Sequence, residues 1–565
     1  MGSLRAYLIA WLIMFPAFGW AADFCVTPSG SGSKNGTDWD NALDWSAVGI
    51  SGLTRGDTYY LADGTYTAKR IATAQSGISV ITLKKATVAS HVTATGWADS
   101  MGDGQALFSA DAYALYINAG YITIDGVVGS GADHTTYGFK SSPIDCTGTT
   151  NYTAGINVST AAADIGSIIL QHFAVMGCPD IAYPDNLHKC STAIQFHPST
   201  STNAYKGTGM EVSECYTQDH VNSLTLYNIA NSSFHDNYFT ETWNSPAEDN
   251  YCHSQHFSGI CTSNIDLYNN VIKHAGWAFM AMHGALTCHT DFTVGNYDWN
   301  IYNNVVIGDG VTENPIWVSG IIGNENPKDT DHNVFARFNI YNNTHHNIVA
   351  QSGYAAVATG PILNVANAAQ VKNNLFYNCT GVGMANEKPC AADDIASGYC
   401  GTDRIVHDYN AYLSSTGNTA ETNAQVDADA TDPFTDSANG DYTLKSGTLP
   451  IDHGDTLDAA YDDDKAGVTR PQGAAWDMGA YEFEAPAGSW IVTFTTTSPC
   501  TAPAAVVVAS GETGTGTLTV PNGYKHGTTS SGTWSGNTVT TAAITADTEV
   551  TLGCETKKIG GLVKP

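Results

Sequence analysis

The stretch Asn264–Ile272 reads NIDLYNNVI, and it comes back along the chain. Asn300–Val306 is NIYNNVV, Phe338–His345 is FNIYNNTH, Gln370–Phe376 is QVKNNLF, and Asn231–Phe239 is the looser NSSFHDNYF. Aligned on their last Asn, the copies stand at Asn237, Asn270, Asn304, Asn343 and Asn374. Three residues earlier come Phe234, Leu267, Ile301, Ile340 and Val371, all apolar. Two residues later come Phe239, Ile272, Val306, His345 and Phe376, apolar except for His345. Short alternation on both sides of the Asn is the period of a strand, not of a helix. Its phase changes across the Asn, as at a corner between two strands.

Weaker copies continue towards the N-terminus as Ile81-x-Leu83, Ile122-x-Ile124, Ile168-x-Leu170 and Met210-x-Val212. The matching Asn position is then expected at Ala86, Val127, Phe173 and Cys215. Cys215 to Asn237 is 22 residues, which reads as one bare coil. Longer spacings, up to 46 residues, read as loops inserted into coils. A β-unit of this kind cannot bury its apolar side alone, whereas stacked copies can, so the pattern predicts a solenoid. In a stack, equal positions lie one above another at the strand spacing, and Asn side chains can bond up and down as a ladder.

Composition agrees. The 565 residues hold 23 Lys+Arg against 54 Asp+Glu, a formal charge of −31, yet only 14% of the chain is charged. A long helical array needs more Glu, Lys and Ala than this. Nucleic acid is excluded as a partner by the lack of a basic face. Disorder is excluded by 42% hydrophobic and 10% aromatic residues.

Residues 1–21 read as a signal peptide, with Arg5 before an apolar run from Ala6 to Phe18 and small residues at Gly19 and Ala21. That predicts export to the extracellular space or cell surface, with no transmembrane segment in the mature chain. All 13 cysteines lie beyond it. Disulfides are therefore expected, the local pairs being Cys178–Cys190, Cys252–Cys261, Cys390–Cys400 and Cys500–Cys554, with at least one thiol left over. After Glu482 the chain changes character. Residues 485–489 read as a linker, and 490–565, rich in Thr and Gly, as a small Ig-like β-sandwich: a spacer or anchoring module first, with glycan binding through Trp490, Tyr524 or Trp534 as the alternative.

Three motifs resemble a known group. Phe24–Leu43 (FCVTPSGSGSKNGTDWDNAL) with Gly56–Tyr66 (GDTYYLADGTY) looks like an opening cap and first coil. The Asn-centred copies look like the repeat, and Asp432–Gly454 with Trp476–Glu482 (WDMGAYE) looks like closing coils. Together they resemble the secreted right-handed parallel β-helix proteins of the pectate-lyase-like superfamily. The expected fold is all-β: a right-handed parallel β-helix over 22–484, followed by the C-terminal sandwich. A monomer that meets polysaccharide or a cell-surface glycan is the expected setting.

The resemblance implies one chemistry, β-elimination on a uronic-acid polymer, with Ca²⁺ held by carboxylates and a Lys or Arg base. Such a reaction needs a cation against the sugar carboxylate and a base near the C5 proton. Lys273 stands three residues after Asn270 and is followed by His274, and Arg337 lies two coils on. Lys273, His274 and Arg337 are the catalytic candidates, with Arg337 holding substrate. Glu241 takes in its coil the place that His274 takes in its own, so the two are expected to be neighbours. Glu241, Asp249, Glu325, Asp329 and Asp331 are the candidate Ca²⁺ ligands, since hard cations take oxygen. Trp243, Trp277 and His346 are the candidate substrate contacts, because sugar rings suit aromatics set among polar groups. Between Asn264 and Asn347 there are three Lys/Arg and eight Asp/Glu, a field that repels a polyanion unless metal reverses it. Two alternatives stay open: glycoside hydrolysis by paired carboxylates among Asp236, Glu241, Glu248 and Asp249, and a non-catalytic adhesive protein.

Overall fold

Each sequence repeat is one turn of a coil. A computed structural model describes residues 21–557 except 110–112, 143–151, 160–162, 178–189, 199–204, 243–254, 275–277, 284–297, 309–336, 350–356, 360–368, 382–383, 387–404, 419, 485–488, 510, 545 and 547. In successive turns a strand ends at one residue in the left-handed region: Asn269 (φ 56°), Asn303 (54°), Asn342 (52°) and Asn373 (58°). Asn tolerates that conformation better than most residues. The ladder Asn follows at once, and a short strand leaves in a new direction.

Those short strands stack into a parallel sheet of twelve, from Gly64–Tyr66 to Gln425–Asp427. A 19-stranded sheet winds round the other faces. Register is strict: Val212 pairs with Phe234, Phe234 with Leu267, Leu267 with Ile301, Ile301 with Ile340, and Ile340 with Val371. These side chains fill the lumen, all 2% exposed or less. The chain is a parallel β-helix.

The asparagines form the expected ladder and add a sixth rung. Nδ2 of Asn237, Asn270, Asn304, Asn343 and Asn374 each donates to Oδ1 of the next coil's Asn at 2.9–3.0 Å, ending on Asn410. The backbone N–H at each of these positions donates to the same oxygen. At the other end Cys215 N–H donates to Asn237 Oδ1 at 2.9 Å.

Two expected N-terminal positions are corrected. Phe139, not Val127, pairs with Phe173, and Ala106, not Ala86, pairs with Phe139. Loops 86–105 and 126–138 are inserted at the corner itself, so the next strand starts later than the alternation suggests. His345, the exception in the apolar column, stacks on Phe376 (4.6 Å, 12°), which stacks on Tyr412 (5.3 Å, 6°). A histidine is tolerated there because its ring continues an aromatic stack.

Beyond the coils, the hairpin Phe434–Asp436/Asp441–Leu444 packs on the outer face of the short-strand sheet. Phe434, Tyr442, Leu444 and Met478 cover Val305, Ile307, Leu375 and Leu413 there. Strands from Ser489–Thr496 to Thr548–Thr556 make the small C-terminal sandwich, a four-stranded and a three-stranded sheet. Its Cys500–Cys554 disulfide joins Cα atoms 5.9 Å apart. Trp490, Tyr524 and Trp534 pack against its core, and His526 stacks on Trp534. Cys261 is also disulfide-bonded, while Cys25, Cys215 and Cys379 are buried free thiols. Each of the other three expected pairs has at least one cysteine outside the described residues. Among the described residues no helix is long and apolar enough to cross a membrane.

Candidate functional site

The strand Tyr238–Phe239 is flanked by two corner residues with positive φ, Asp236 (56°) and Glu241 (51°). Other coils use Asp219, Asn347, Asn378 or Ser414 at the second of these corners. Glu is a costlier choice in this conformation, so its carboxylate has a reason to be there. In the next coil His274 (φ 52°) takes the same place. Phe239 pairs with Ile272, so Glu241 and His274 stand one above the other, as the repeat register predicts.

Their side chains meet. His274 Nδ1 donates to Glu241 Oε1 at 2.5 Å, both side chains being about one-third exposed. A carboxylate only accepts, so Nδ1 carries a proton, and the lone pair of the ring's deprotonated form lies on Nε2. Burial pushes the Glu241 carboxyl up, but the hydrogen bond and charge of His274 outweigh it and hold it below the usual carboxylate range.

Lys273 precedes His274 and points outward from its strand. Its ammonium lies 5.7 Å from the centre of the Tyr238 ring. Among the described residues it forms no ion pair. Tyr238 in turn stacks on Tyr216 at 5.8 Å and 6°. One corner therefore gathers a cation, a carboxylate–imidazole pair and an aromatic edge.

Behind this corner, inside the lumen, lies His256, which is fully buried. Its Nε2 is 2.7 Å from Lys273 O and its Nδ1 is 2.9 Å from Ser223 Oγ. Burial lowers the pKa of this ring to about 4. His256 and Ser223 were not picked out by pattern. Their signal was available: Leu224 pairs with Phe257, so Ser223 and His256 stand at equal positions of adjacent coils.

The other corner holds a separate charged group. His235 Nδ1 is 2.8 Å from Asp236 Oδ2, its Nε2 is 3.8 Å from Glu211 Oε1, and its ring stacks on Tyr268 at 4.6 Å. Burial opposes its charge, yet Asp236 and Glu211 prevail and push the ring up to about 9. Asp236 and Glu241 thus sit at opposite ends of one strand, each held by its own histidine. They do not pair with each other, and Glu248 and Asp249, the other carboxylates expected for hydrolysis, lie outside the described residues.

The remaining candidates divide as follows. Arg337 opens the strand Arg337–Tyr341, pairing with Asp298 in the larger sheet. The place equivalent to Lys273 in that coil is His346, not Arg337. Arg337 therefore stands at the far end of a strand on another face, and the expected trio reduces to Lys273 and His274. His346 is 9% exposed, with Nδ1 3.0 Å from Tyr442 Oη and with Phe434 and Tyr377 packed around it. The closing hairpin covers it, so it does not face an open groove. Trp243, Trp277, Asp249, Glu325, Asp329 and Asp331 lie outside the described residues. Of the five expected Ca²⁺ ligands only Glu241 is described, and it is committed to His274. No three of His, Cys, Asp and Glu converge among the described residues. One carboxylate bonded to an imidazole does not by itself make the oxygen set a hard cation takes, and the other four expected ligands lie outside the described residues.

No protein-family model matches the chain, and no curated protein matches it. Among solved structures the chain is similar to pectate lyase Pel9A, at 13% identity over 83% of this chain and 98% of that one, with a TM-score of 0.43. It is also similar to an alginate lyase from Paenibacillus sp. str. FPU-7, at 11% identity over 72% and 99% of the two chains, TM-score 0.29. A third is the PL6 family alginate lyase AlyGC, at 14% identity over 84% and 61%, TM-score 0.30.

Proposed function

We propose that the protein is exported and cleaves an extracellular uronate-containing polysaccharide by β-elimination at the Lys273–His274 corner. The observation that carries the reading is the 2.5 Å contact between His274 and Glu241, one residue along the chain from Lys273. Glu241 holds the Nδ1–H tautomer, which turns a lone pair on Nε2 outward as a general base. Lys273 meets the sugar carboxylate, so the adjacent C5–H becomes more acidic. His274 takes that proton. The C5–H electron pair becomes the C4–C5 double bond, and the glycosidic oxygen departs, with the imidazolium returning the proton to it. No step is routed through a metal.

This reading answers the charge problem. In a region with three basic and eight acidic residues, a cation free of ion pairs among the described residues is where a polyanion's carboxylate gains most. The test is a panel of neutral and uronate-containing polysaccharides, with and without EDTA. It is read for the ultraviolet absorbance of an unsaturated sugar and for reducing ends. New absorbance that survives EDTA and disappears in His274→Ala supports the proposal. Reducing ends without absorbance would replace it with hydrolysis. Retention on a glycan with neither product would replace it with an adhesive role.

A further inference from the structure

A hydrogen-bonded chain runs through the lumen to the back of the proposed site. Thr217 Oγ1 donates to Ser223 Oγ at 2.9 Å, and Ser223 Oγ is 2.9 Å from His256 Nδ1. His256 Nε2 is 2.7 Å from the backbone oxygen of Lys273. Thr217, Ser223 and His256 are all at most 1% exposed. The chain admits one arrangement of protons. Lys273 O can only accept, so Nε2 must carry the hydrogen and Nδ1 must accept from Ser223. Ser223, having given its proton, accepts from Thr217.

Among the described residues no corner or turn N–H bonds this carbonyl. At the corner His274 N–H donates to Ile307 O at 3.0 Å, and Thr242 N–H donates to His274 O at 3.1 Å. Lys273 O is left to a side chain, and the peptide it belongs to is the one joining Lys273 to His274. We propose that His256 is a positioning residue: from inside the lumen it fixes the Lys273–His274 peptide, and so the direction in which His274 meets Glu241. The role rests on the β-elimination reading for its kinetic consequence, but not for its geometry. The cost of a misplaced base is set by orientation, and small misplacements lower rate on the order of 10–100-fold.

Three substitutions separate the possibilities. His256→Gln keeps an amide donor in reach of Lys273 O. His256→Phe keeps ring volume and the packing on Phe279 but loses the donor. Ser223→Ala leaves His256 in place and removes the hydroxyl that holds its Nδ1, which keeps the test open if His256→Phe does not fold. The readouts are kcat and KM on the polymer cleaved by the wild type, and the ¹⁵N shifts of His274, which report its tautomer with no substrate present. The expected result is a kcat lowered about tenfold or more in His256→Phe with KM unchanged. His256→Gln recovers most of that loss, and Ser223→Ala lies between. The Nδ1–H form of His274 becomes mixed in His256→Phe and Ser223→Ala. Unchanged kcat and unchanged His274 shifts in folded His256→Phe or Ser223→Ala would overturn the positioning role and leave the lyase reading intact. A shifted His274 tautomer in a protein that cleaves no polymer would uphold the positioning role and remove the lyase reading.

Discussion

Asn410 meets Glu421 at the end of the asparagine ladder: its Nδ2 is 3.0 Å from Oε1 and 3.2 Å from Oε2. Every rung donates towards the C-terminus, so the last one presents N–H groups with no further Asn to receive them. A carboxylate is the natural terminator, for the reason that anions sit at helix N-termini. Glu421 also accepts from Asn410 N–H at 3.1 Å, Tyr412 Oη at 2.7 Å and His407 Nδ1 at 3.0 Å, with its side chain fully buried. Glu421→Ala leaves these donors without partners and should cost about 3 kcal/mol. Glu421→Gln should cost less, because one oxygen remains. Hydrogen exchange should show the loss first in 405–413, and equal protection in both variants and the wild type would refute the capping role.

The other end of the ladder makes the opposite prediction. Cys215 holds the next rung position but gives only its backbone N–H to Asn237. In Cys215→Asn the new Nδ2 would reach Asn237 Oδ1 and Leu170 O, which the Cys215 thiol now contacts. Stability should hold or rise by about 1 kcal/mol. In mid-ladder, Asn304→Ala strands Asn270 N–H and Asn270 Nδ2, which Asn304 accepts at 3.0 and 2.9 Å. It should cost about 3–5 kcal/mol, read from the shift in the urea midpoint.

Lumenal histidines give the fold an acid limit. Burial lowers the rings of His220 and His345 to about 3, and that of His256 to about 4, from 6.5. The unfolded chain therefore binds protons below pH 6.5 that the folded chain refuses. Their contribution is intact above pH 6.5 and is lost as pH falls towards 4, at about 1.4 kcal/mol per unit per ring. Among the described residues His345 Nε2 has no hydrogen-bond partner. His345→Phe keeps the stack on Phe376, so it should be at least as stable as the wild type at pH 7 and should lose less stability by pH 5. Parallel pH curves for the two proteins would contradict this.

His235 behaves with the opposite sign. Its folded-state value of about 9 lies above 6.5, so its contribution is full below pH 6.5 and disappears as pH rises through 9. His235→Phe should abolish a loss of about 2 kcal/mol over that window in the wild type. Thermal midpoints at pH 6 and pH 9.5 check it.

What the sequence discloses depends on how each residue is constrained. The ladder was legible because every rung needs the same side chain in the same register, and the apolar columns on either side repeat with it. The Glu241–His274 contact was legible for the same reason, as two equal positions in adjacent coils. Ala86 and Val127 misled because a loop inserted at a corner leaves the preceding strand unchanged and says nothing of where the next one begins. Arg337 misled because closeness in coil number is not closeness in space: it begins the strand before the corner, whereas Lys273 ends the strand after it. His346 misled because the hairpin that covers it comes from residues about ninety positions later. His256 stayed hidden because an inward polar residue looks like an interruption until its partner in the preceding coil, Ser223, is set beside it.

The central claim is that His274, oriented by Glu241, removes a proton beside a carboxylate held by Lys273. The most direct measurement is the initial rate of unsaturated-sugar absorbance on a uronate polymer for the wild type, His274→Ala, Glu241→Gln and Lys273→Ala. The account predicts loss of about a hundredfold or more in kcat for His274→Ala. It predicts about tenfold for Glu241→Gln, and a loss in kcat/KM for Lys273→Ala that a neutral polymer does not share. Wild-type rates in folded His274→Ala would contradict it.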